Sequence, residues 1–293
     1  MSFSGSLVAI VTPMRPDGAL DLEAWVRLLD FHLANGTSAV VVGGTSGESA
    51  TLRELELREL TQRACEHVRG RLAVIVGAGT SSTATTVERV RTLSDLPIDG
   101  FLLVTPAYNR PTQEGLYQHF AAAAAASAKP ILLYNVPSRT AVDMKPATVA
   151  RLTRVARIAG VKEALPELSR VRELVDVVTK GFAVLSGDDA TAREAIGCGA
   201  RGVISVTANV APRAMSQMVA AALAGDATRA RELDAPLASL HRDLFVEANP
   251  IPVKWALAQM GLIGAGLRLP LTPLSEAHHA TVRAAARAAG ALA

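Results

Sequence analysis

The sequence predicts a (β/α)8 barrel of the TIM type, an α/β fold, with a helical appendage at its C-terminus. Short runs rich in Val, Ile and Leu alternate with longer segments of helical spacing, which is the pattern of a parallel sheet wrapped by helices. Eight such runs can be counted, and eight is the strand number of this barrel. The length of 293 residues suits a single barrel with an extension.

The predicted strands share one design, an apolar run followed by a helical stretch. In chain order they are Leu7–Val11, Ala39–Val42, Leu72–Val76, Gly100–Val104, Ile131–Tyr134, Ile158–Lys162, Ala183–Ser186 and Gly202–Ser205. From about Pro212 onward the strand pattern stops, and Gly and Pro residues divide the remainder into helical segments. We therefore expect a barrel over residues 1–224 that carries the active site, and a helical extension over residues 225–293.

Composition limits the class of protein. Hydrophobic residues make up 49% of the chain and charged residues 19%, which supports a large core and argues against disorder. The formal net charge is +3 and the basic residues are scattered, so we expect no nucleic-acid partner. No apolar run reaches the roughly 18 residues of a membrane helix, and the N-terminus lacks the features of a signal peptide. With two cysteines at unpaired spacing, these features predict a cytoplasmic protein that makes no membrane contact.

In barrels of this class the chemistry lies at the carboxyl ends of the strands. Polar residues follow five of the predicted strands. These segments are Gly43–Glu48, Thr105–Tyr108, Tyr134–Arg139, Lys162–Glu163 and Ser186–Asp189. We expect their side chains to converge on one rim of the barrel.

Lys162 is the strongest candidate for catalysis. It closes the apolar run Ile158–Val161, and a lysine in such a strand is unfavourable unless it is paired or used. Burial favours the neutral amine, which is the form that attacks a carbonyl to make an imine. The alternative is a strand-end lysine that extends to solvent. We predict that Lys162 forms a Schiff base with a small keto acid.

Three hydroxyl groups are candidates for proton transfer near that lysine. Tyr134 and Tyr108 end or follow predicted strands, and Thr45 lies in the loop after the second strand. A chain of hydroxyls can move protons during imine formation, provided that they come within hydrogen-bonding reach. For either tyrosine alone, the default interpretation is a buried phenol with one satisfied hydroxyl. Their combination with Lys162 and Thr45 favours proton transfer.

The loop Gly43–Gly47 offers backbone N–H groups and the hydroxyls of Thr45 and Ser46 to a small carboxylate. It lacks the spacing of a phosphate-binding or dinucleotide-binding loop, so nucleotide binding is a weak alternative. Arg139 offers a bidentate clamp for a second carboxylate, although a surface ion pair is the ordinary use of an arginine.

The remaining polar residues give no sign of a cofactor. The six histidines show no ligand spacing, so we expect no catalytic metal. Four carboxylates follow strands and are candidates for acid or base catalysis, but we expect each to cap the N-terminus of a helix instead: Glu48, Glu163, Asp188 and Asp189.

Eight motifs occur in order along almost the whole chain. They are Gly5–Met14, Gly47–Leu52, Tyr108–Pro111, Tyr134–Thr140, Gly160–Ala164, Ser186–Ala190, Ser205–Val210 and Asn249–Lys254. In these motifs the sequence resembles the dihydrodipicolinate synthase family, within the pyruvate-dependent class I aldolases. The resemblance implies an enzyme of lysine and diaminopimelate synthesis, which condenses pyruvate with L-aspartate 4-semialdehyde to 4-hydroxy-tetrahydrodipicolinate without a cofactor.

The same resemblance assigns roles to individual residues. It implies that Lys162 carries the Schiff base, that Tyr134 donates and accepts protons, and that Thr45 and Tyr108 complete the relay. The implied substrate contacts are Arg139 for the carboxylate of the aldehyde, and Ser46, Gly187 and Ile204 for the pyruvate pocket. Members are usually homotetramers, built as dimers of dimers, in which the tyrosine matching Tyr108 enters the neighbouring subunit's site.

Several positions depart from the family pattern. Ser46 replaces a second threonine, and Ala107 replaces a tyrosine that packs across the tight dimer. Leu165-Pro166 replaces a common Thr-Gly. Lysine-inhibited members carry histidines and polar residues at four positions where this chain has Glu54, Leu57, Ser81 and Thr85. We therefore expect lysine to inhibit weakly or not at all.

Three alternatives remain at this stage. Another pyruvate-dependent class I aldolase or lyase, such as a sialic acid or keto-deoxy sugar lyase, would share the lysine and tyrosine, but would not need Arg139 as a carboxylate clamp. A non-enzymatic acid-binding barrel would be expected to lose one of the catalytic groups. A pyridoxal phosphate enzyme would need a phosphate site, and the sequence contains no such motif.

Overall fold

The structure is a computed structural model that describes residues 3–292. Its centre is a closed barrel of parallel strands in sequential order, and the last strand pairs with the first. The strands are β1 (Gly5–Val8), β2 (Ala39–Val42), β3 (Ala73–Gly77), β4 (Gly100–Val104), β5 (Ile131–Asn135), β6 (Ile158–Glu163), β7 (Ala183–Ser186) and β8 (Gly202–Ser205). The predicted barrel class is confirmed.

Helices follow the strands and surround the barrel. They are α1 (Leu22–Ala34), α2 (Glu54–Val68), α3 (Thr83–Leu93), α4 (Gln113–Ala126), α5 (Pro137–Thr140), α6 (Pro146–Leu152), α7 (Leu168–Val177), α8 (Ala192–Gly197), α9 (Pro212–Leu223), α10 (Ala227–Asp234), α11 (Ala238–Asp243), α12 (Ile251–Gln259) and α13 (Glu276–Ala288). Helices α10 to α13 follow residue 224, where the sequence predicts a helical extension.

The strands bury both of their faces. Alternate residues of a strand point to opposite sides, so one set fills the barrel interior and the other packs against the helices. In β2, Val41 belongs to the interior cluster, while Val40 and Val42 belong to the cluster that includes the helices. All three side chains are fully buried, which explains why the run lacks polar residues.

Strand β1 differs from its prediction. The sequence predicts Leu7–Val11, whereas β1 begins at Gly5 and ends at Val8. Beyond Val8 the chain is still buried, but the N–H of Val11 donates to the side-chain oxygen of Asn209 at 3.0 Å. The side chain of Asn209, almost two hundred positions away, thus accepts the hydrogen bond that a neighbouring strand would otherwise accept. An apolar run in the sequence cannot indicate such a distant partner. The ends of the other strands agree with the prediction within one residue.

Across residues 3–292, no helix combines the length and the apolar character needed to cross a membrane.

Candidate active site

The site is built around two adjacent strands, β5 and β6. Tyr134 and Lys162 are paired across these strands, and both side chains point into the barrel. The side-chain nitrogen of Lys162 lies 4.2 Å from the centre of the Tyr134 ring. Lys162 is 5% exposed and Tyr134 is 7% exposed. The structure therefore brings the predicted imine lysine and the predicted proton-transfer phenol together in a nearly dry environment.

An irregularity in β6 makes this arrangement possible. Ile158 and Val161 are three residues apart, yet both belong to the cluster that faces the helices. Strict alternation forbids this, because residues an odd number apart point to opposite faces. The register with β5 shifts between Ile131 and Leu132, as a β-bulge requires. The extra residue reverses the alternation, so Lys162 points inward beside Tyr134.

A cavity of about 240 Å³ opens at this end of the barrel. Its walls come from the ends of several strands and from the C-terminal extension. The lining residues are Ala9, Thr45, Ser46, Tyr134, Val136, Ser138, Arg139, Lys162, Ala164, Gly187, Asp188, Val206, Phe245 and Asn249. Six of the predicted site residues share this one cavity: Lys162, Tyr134, Thr45, Ser46, Arg139 and Gly187.

Gly187 makes room for the lysine. A β-carbon at this position would lie 2.9 Å from the side-chain Cε of Lys162 and 3.0 Å from the β-carbon of Ala164. Such contacts are closer than van der Waals packing permits, so the absence of a side chain at Gly187 lets the lysine occupy its position.

Two predicted site residues lie elsewhere. Ile204 is fully buried in the interior cluster of the barrel that also includes Tyr134, rather than on the cavity wall. Tyr108 is 96% exposed and does not enter the cavity of its own chain. Its φ of +72° is unusual for a residue with a bulky side chain. The loop therefore holds an aromatic side chain outward in a strained conformation.

The sequence prediction missed the contribution of the extension to the cavity. Phe245 and Asn249, both beyond residue 224, line it. The side-chain N–H of Asn249 donates to the hydroxyl of Ser46 at 3.0 Å, and the backbone carbonyl of Asn249 accepts from the guanidinium of Arg139 at 3.3 Å. The motif Asn249–Lys254 was the available signal, but nothing local in it indicates a contact with a loop some two hundred residues earlier.

The prediction that Glu48 caps a helix is wrong. Its carboxylate forms an ion pair with Lys254 of α12 and accepts from the backbone N–H of Arg268 at 3.1 Å. The side chains of Glu48 and Lys254 are 0% and 2% exposed. Burial lowers the pKa of Lys254, and the carboxylate of Glu48 opposes that shift. This buried pair connects the loop carrying Thr45 and Ser46 to the extension.

Glu163 also does not cap a helix. It faces away from the cavity, and both of its oxygens accept from the side-chain N–H of Asn135, at 3.1 and 3.0 Å. Burial raises the pKa of Glu163 to about 7, against the hydrogen bonds from Asn135 and from the backbone of Leu165.

The other two carboxylates bind backbone N–H groups near helix starts, but neither caps the α-helix that follows it. Asp188 accepts from the backbone N–H of Thr191 at 3.0 Å, just before α8. Asp189 accepts from the backbone N–H groups of Val206 and Thr207, at 2.8 and 2.9 Å, where a short 3-10 helix begins.

Within the described part of the chain, no cluster of three or more His, Cys, Asp or Glu side chains is arranged to hold a metal ion.

A model of the dihydrodipicolinate synthetase family matches residues 2–289. The chain belongs to the dihydrodipicolinate synthetase family. It is 54% identical over 290 residues to the 4-hydroxy-tetrahydrodipicolinate synthase of Stutzerimonas stutzeri, a match that covers 99% of each chain. This is the family of enzymes that the sequence motifs resemble, so the predicted family is confirmed.

Solved structures of the dihydrodipicolinate synthetase family have the same fold. The chloride-inhibited enzyme of Acinetobacter baumannii, in complex with pyruvate, is 46% identical and superimposes with a TM-score of 0.97 over 99% of each chain. A monomeric dihydrodipicolinate synthase variant is 43% identical, with a TM-score of 0.97 over 99% of this chain and 98% of that one.

Proposed function

We propose that this chain is a 4-hydroxy-tetrahydrodipicolinate synthase, a lyase of lysine and diaminopimelate synthesis that acts through a Schiff base on Lys162. The observation that carries the proposal is the buried amine at the end of β6, beside Tyr134 in a cavity of about 240 Å³. Family membership and the relatives' names support the substrates, which are pyruvate and L-aspartate 4-semialdehyde.

The reaction follows from the chemistry of an amine. The nitrogen of Lys162 attacks the keto carbon of pyruvate, and water leaves to form the imine. The methyl group then loses a proton, and the resulting enamine carbon attacks the aldehyde carbon of the second substrate. The amino group of that substrate displaces the lysine as the ring closes, which regenerates the free amine. The products are 4-hydroxy-tetrahydrodipicolinate and the water released at the first step.

Tyr134 moves protons in these steps, because it is the phenol nearest to Lys162 on the cavity wall. Thr45 lies on the same wall and passes protons between Tyr134 and the Tyr108 of a second copy. The outward position of Tyr108 supports this assignment, since its own chain offers it no place in the cavity.

The substrate contacts divide between two carboxylates. Ser46 and Gly187, on the cavity wall, hold the carboxylate of pyruvate, and the apolar side chain of Ile204 supports the pocket from the barrel interior. Arg139 is exposed on the wall, and its guanidinium is positioned to clamp the carboxylate of the incoming aldehyde. A sugar lyase of the same superfamily would not need this clamp.

The assembly that fits this site is a homotetramer built as a dimer of dimers, located in the cytoplasm. A monomer leaves Tyr108 unused, whereas a dimer completes both sites. We also propose the division of the chain into a barrel over residues 1–224 and an extension over residues 225–293, with the extension closing the cavity through Asn249.

Borohydride trapping tests the proposed function. The protein is treated with pyruvate and sodium borohydride, and then analysed by intact mass and peptide mapping. We expect an adduct of pyruvate size on Lys162, and none on Lys162→Ala. Condensation with L-aspartate 4-semialdehyde is then assayed directly. Absence of the adduct rejects the imine mechanism, and an adduct without condensation points to a different aldehyde partner.

A further inference from the structure

The residues that follow Tyr134 and Lys162 are also paired across β5 and β6. Asn135 and Glu163 are opposite each other in the register, on the face turned away from the cavity. Asn135 is 0% exposed and Glu163 is 1% exposed. One N–H group of Asn135 reaches both oxygens of Glu163, at 3.1 and 3.0 Å. A buried polar contact therefore joins the two strands immediately behind the reactive side chains.

Both members of this contact are held by their surroundings. The backbone N–H of Leu165 donates to Glu163 at 3.0 Å. The side-chain oxygen of Asn135 accepts from the backbone N–H of Met144 at 2.9 Å, and its amide donates to Asp143 at 3.0 Å. Because these bonds come from two different segments, residues 143–144 and Leu165, the two side chains have little freedom to shift.

We infer that Asn135 and Glu163 form a clamp between β5 and β6 that sets the relative position of Tyr134 and Lys162 for catalysis. This inference rests on the proposed function. Both are positioning residues, since they point away from the cavity. The backbone of each is bonded directly to a catalytic residue, so a small slide of one strand end past the other would separate the amine from the phenol. Imine chemistry is sensitive to displacements of about 1 Å.

The charged groups around Glu163 give the clamp a measurable signature. Asp143, from the segment between α5 and α6, and Arg170, from α7, both act on its carboxyl group. Asp143 is itself bound to Lys145 and Arg170, at 2.6 and 2.8 Å. The hydrogen-bonding groups that reach Glu163 are N–H donors, which bind a carboxylate better than a carboxylic acid. The clamp should therefore tighten as Glu163 loses its proton near pH 7.

The experiment compares Glu163→Ala, Asn135→Ala and the double variant by steady-state condensation kinetics. We expect each single change to lower kcat about tenfold or more, with KM for pyruvate changing less than about threefold, because alignment is lost while the cavity wall remains. The double variant should be no slower than the slower single variant, because either change alone opens the clamp.

Glu163→Gln supplies a second readout. It keeps the size of the side chain and one acceptor for Asn135, but it cannot ionise. We expect the wild-type kcat to rise by about twofold to threefold as the pH passes through 7, and this rise to be absent in Glu163→Gln. The matched control is Glu167→Gln, the same chemical change at an exposed position of the next connection, which should keep the wild-type profile.

Three outcomes overturn the inference. The first is folded alanine variants with kcat within about twofold of wild type. The second is a double variant whose loss equals the product of the two single losses. The third applies if the alanine variants do not fold: it is a dependence of kcat on pH in Glu163→Gln that is identical to that of the wild type. Failure of the wild type to trap pyruvate or to condense it would instead reject the proposed function, and with it the clamp.

Discussion

Gly187 shows how one missing side chain shapes the site. We predict that Gly187→Ala keeps the fold but lowers kcat/KM by about tenfold to a hundredfold. The new methyl group would lie only 2.9 Å from the Cε of Lys162 and would therefore displace the lysine side chain. Steady-state kinetics and borohydride trapping measure the effect. Gly197→Ala is the control, since a β-carbon there meets no other atom within 4 Å. Equal activity of the two variants would contradict the prediction.

Buried His32 makes stability depend on pH. Its imidazole is fully buried in α1, 2.9 Å from the hydroxyl of Thr37, and burial lowers its pKa to about 3. The unfolded chain therefore binds this proton first as the pH falls from 6.5 toward 3, and the folded state loses about 1.4 kcal/mol per pH unit over that window. Urea unfolding at several pH values should show that the free energy of unfolding decreases less steeply with falling pH in His32→Gln than in the wild type. The control is His278→Gln, at a half-exposed position. If the free energy of unfolding depends on pH equally in the two variants, the prediction is refuted.

At the scale of elements, the buried pair Glu48–Lys254 attaches the loop after β2 to helix α12. We predict that Lys254→Met lowers the free energy of unfolding by about 3 to 5 kcal/mol, because it leaves a buried carboxylate without its counter-charge. Glu48→Gln combined with Lys254→Met should recover part of this loss. Denaturant unfolding provides the measurement.

The control for that prediction is Arg229→Met. Arg229 pairs with Glu232, and these side chains are 58% and 59% exposed. An exposed pair contributes little, so the change should stay within about 1 kcal/mol. The proposed coupling between loop and extension fails if Lys254→Met is as mild as this control.

At the scale of the whole molecule, the outward position of Tyr108 leads to a test by subunit mixing. Lys162→Ala and Tyr108→Phe should each have low activity alone. If the site is shared as proposed, one of the two sites in a hybrid dimer combines an intact Lys162 from one chain with an intact Tyr108 from the other. Random pairing makes half of the dimers hybrid, so we expect about a quarter of wild-type activity after co-refolding. No recovery, with hybrid dimers demonstrated by native mass spectrometry, would exclude a shared site.

Four positions of the sequence bear on inhibition by lysine. Of the four positions where lysine-inhibited members carry histidines and polar residues, Leu57 is buried, and Glu54 is bound by the guanidinium of Arg89 at 2.9 Å. Leu57 is apolar and offers lysine no polar contact, and the carboxylate of Glu54 is already paired with Arg89. We predict that millimolar L-lysine leaves the condensation rate within about twofold of the uninhibited rate. Strong inhibition in a steady-state assay would show that other residues bind lysine.

Much of this protein could be predicted from its sequence, because the relevant signals are local. Apolar runs alternating with helical segments indicate the barrel, and chain order places their carboxyl ends on one rim. The same local logic identified Lys162 as the residue that ends an apolar strand. Five of the predicted site residues in the cavity follow from such signals, whereas the role of Gly187 was implied by the family resemblance.

Only the tertiary structure decided the remainder, because those features depend on contacts between distant segments. Strict alternation along β6 would place Ile158 and Lys162 on the same face. The bulge in β6 places them on opposite faces, and this bulge depends on the register with β5. The local sequence predicts that Glu48 caps a helix, yet its ion-pair partner Lys254 is 206 residues away. Buried charges and side chains that replace a strand are selected by the packing around them, and no local pattern in the chain records that packing.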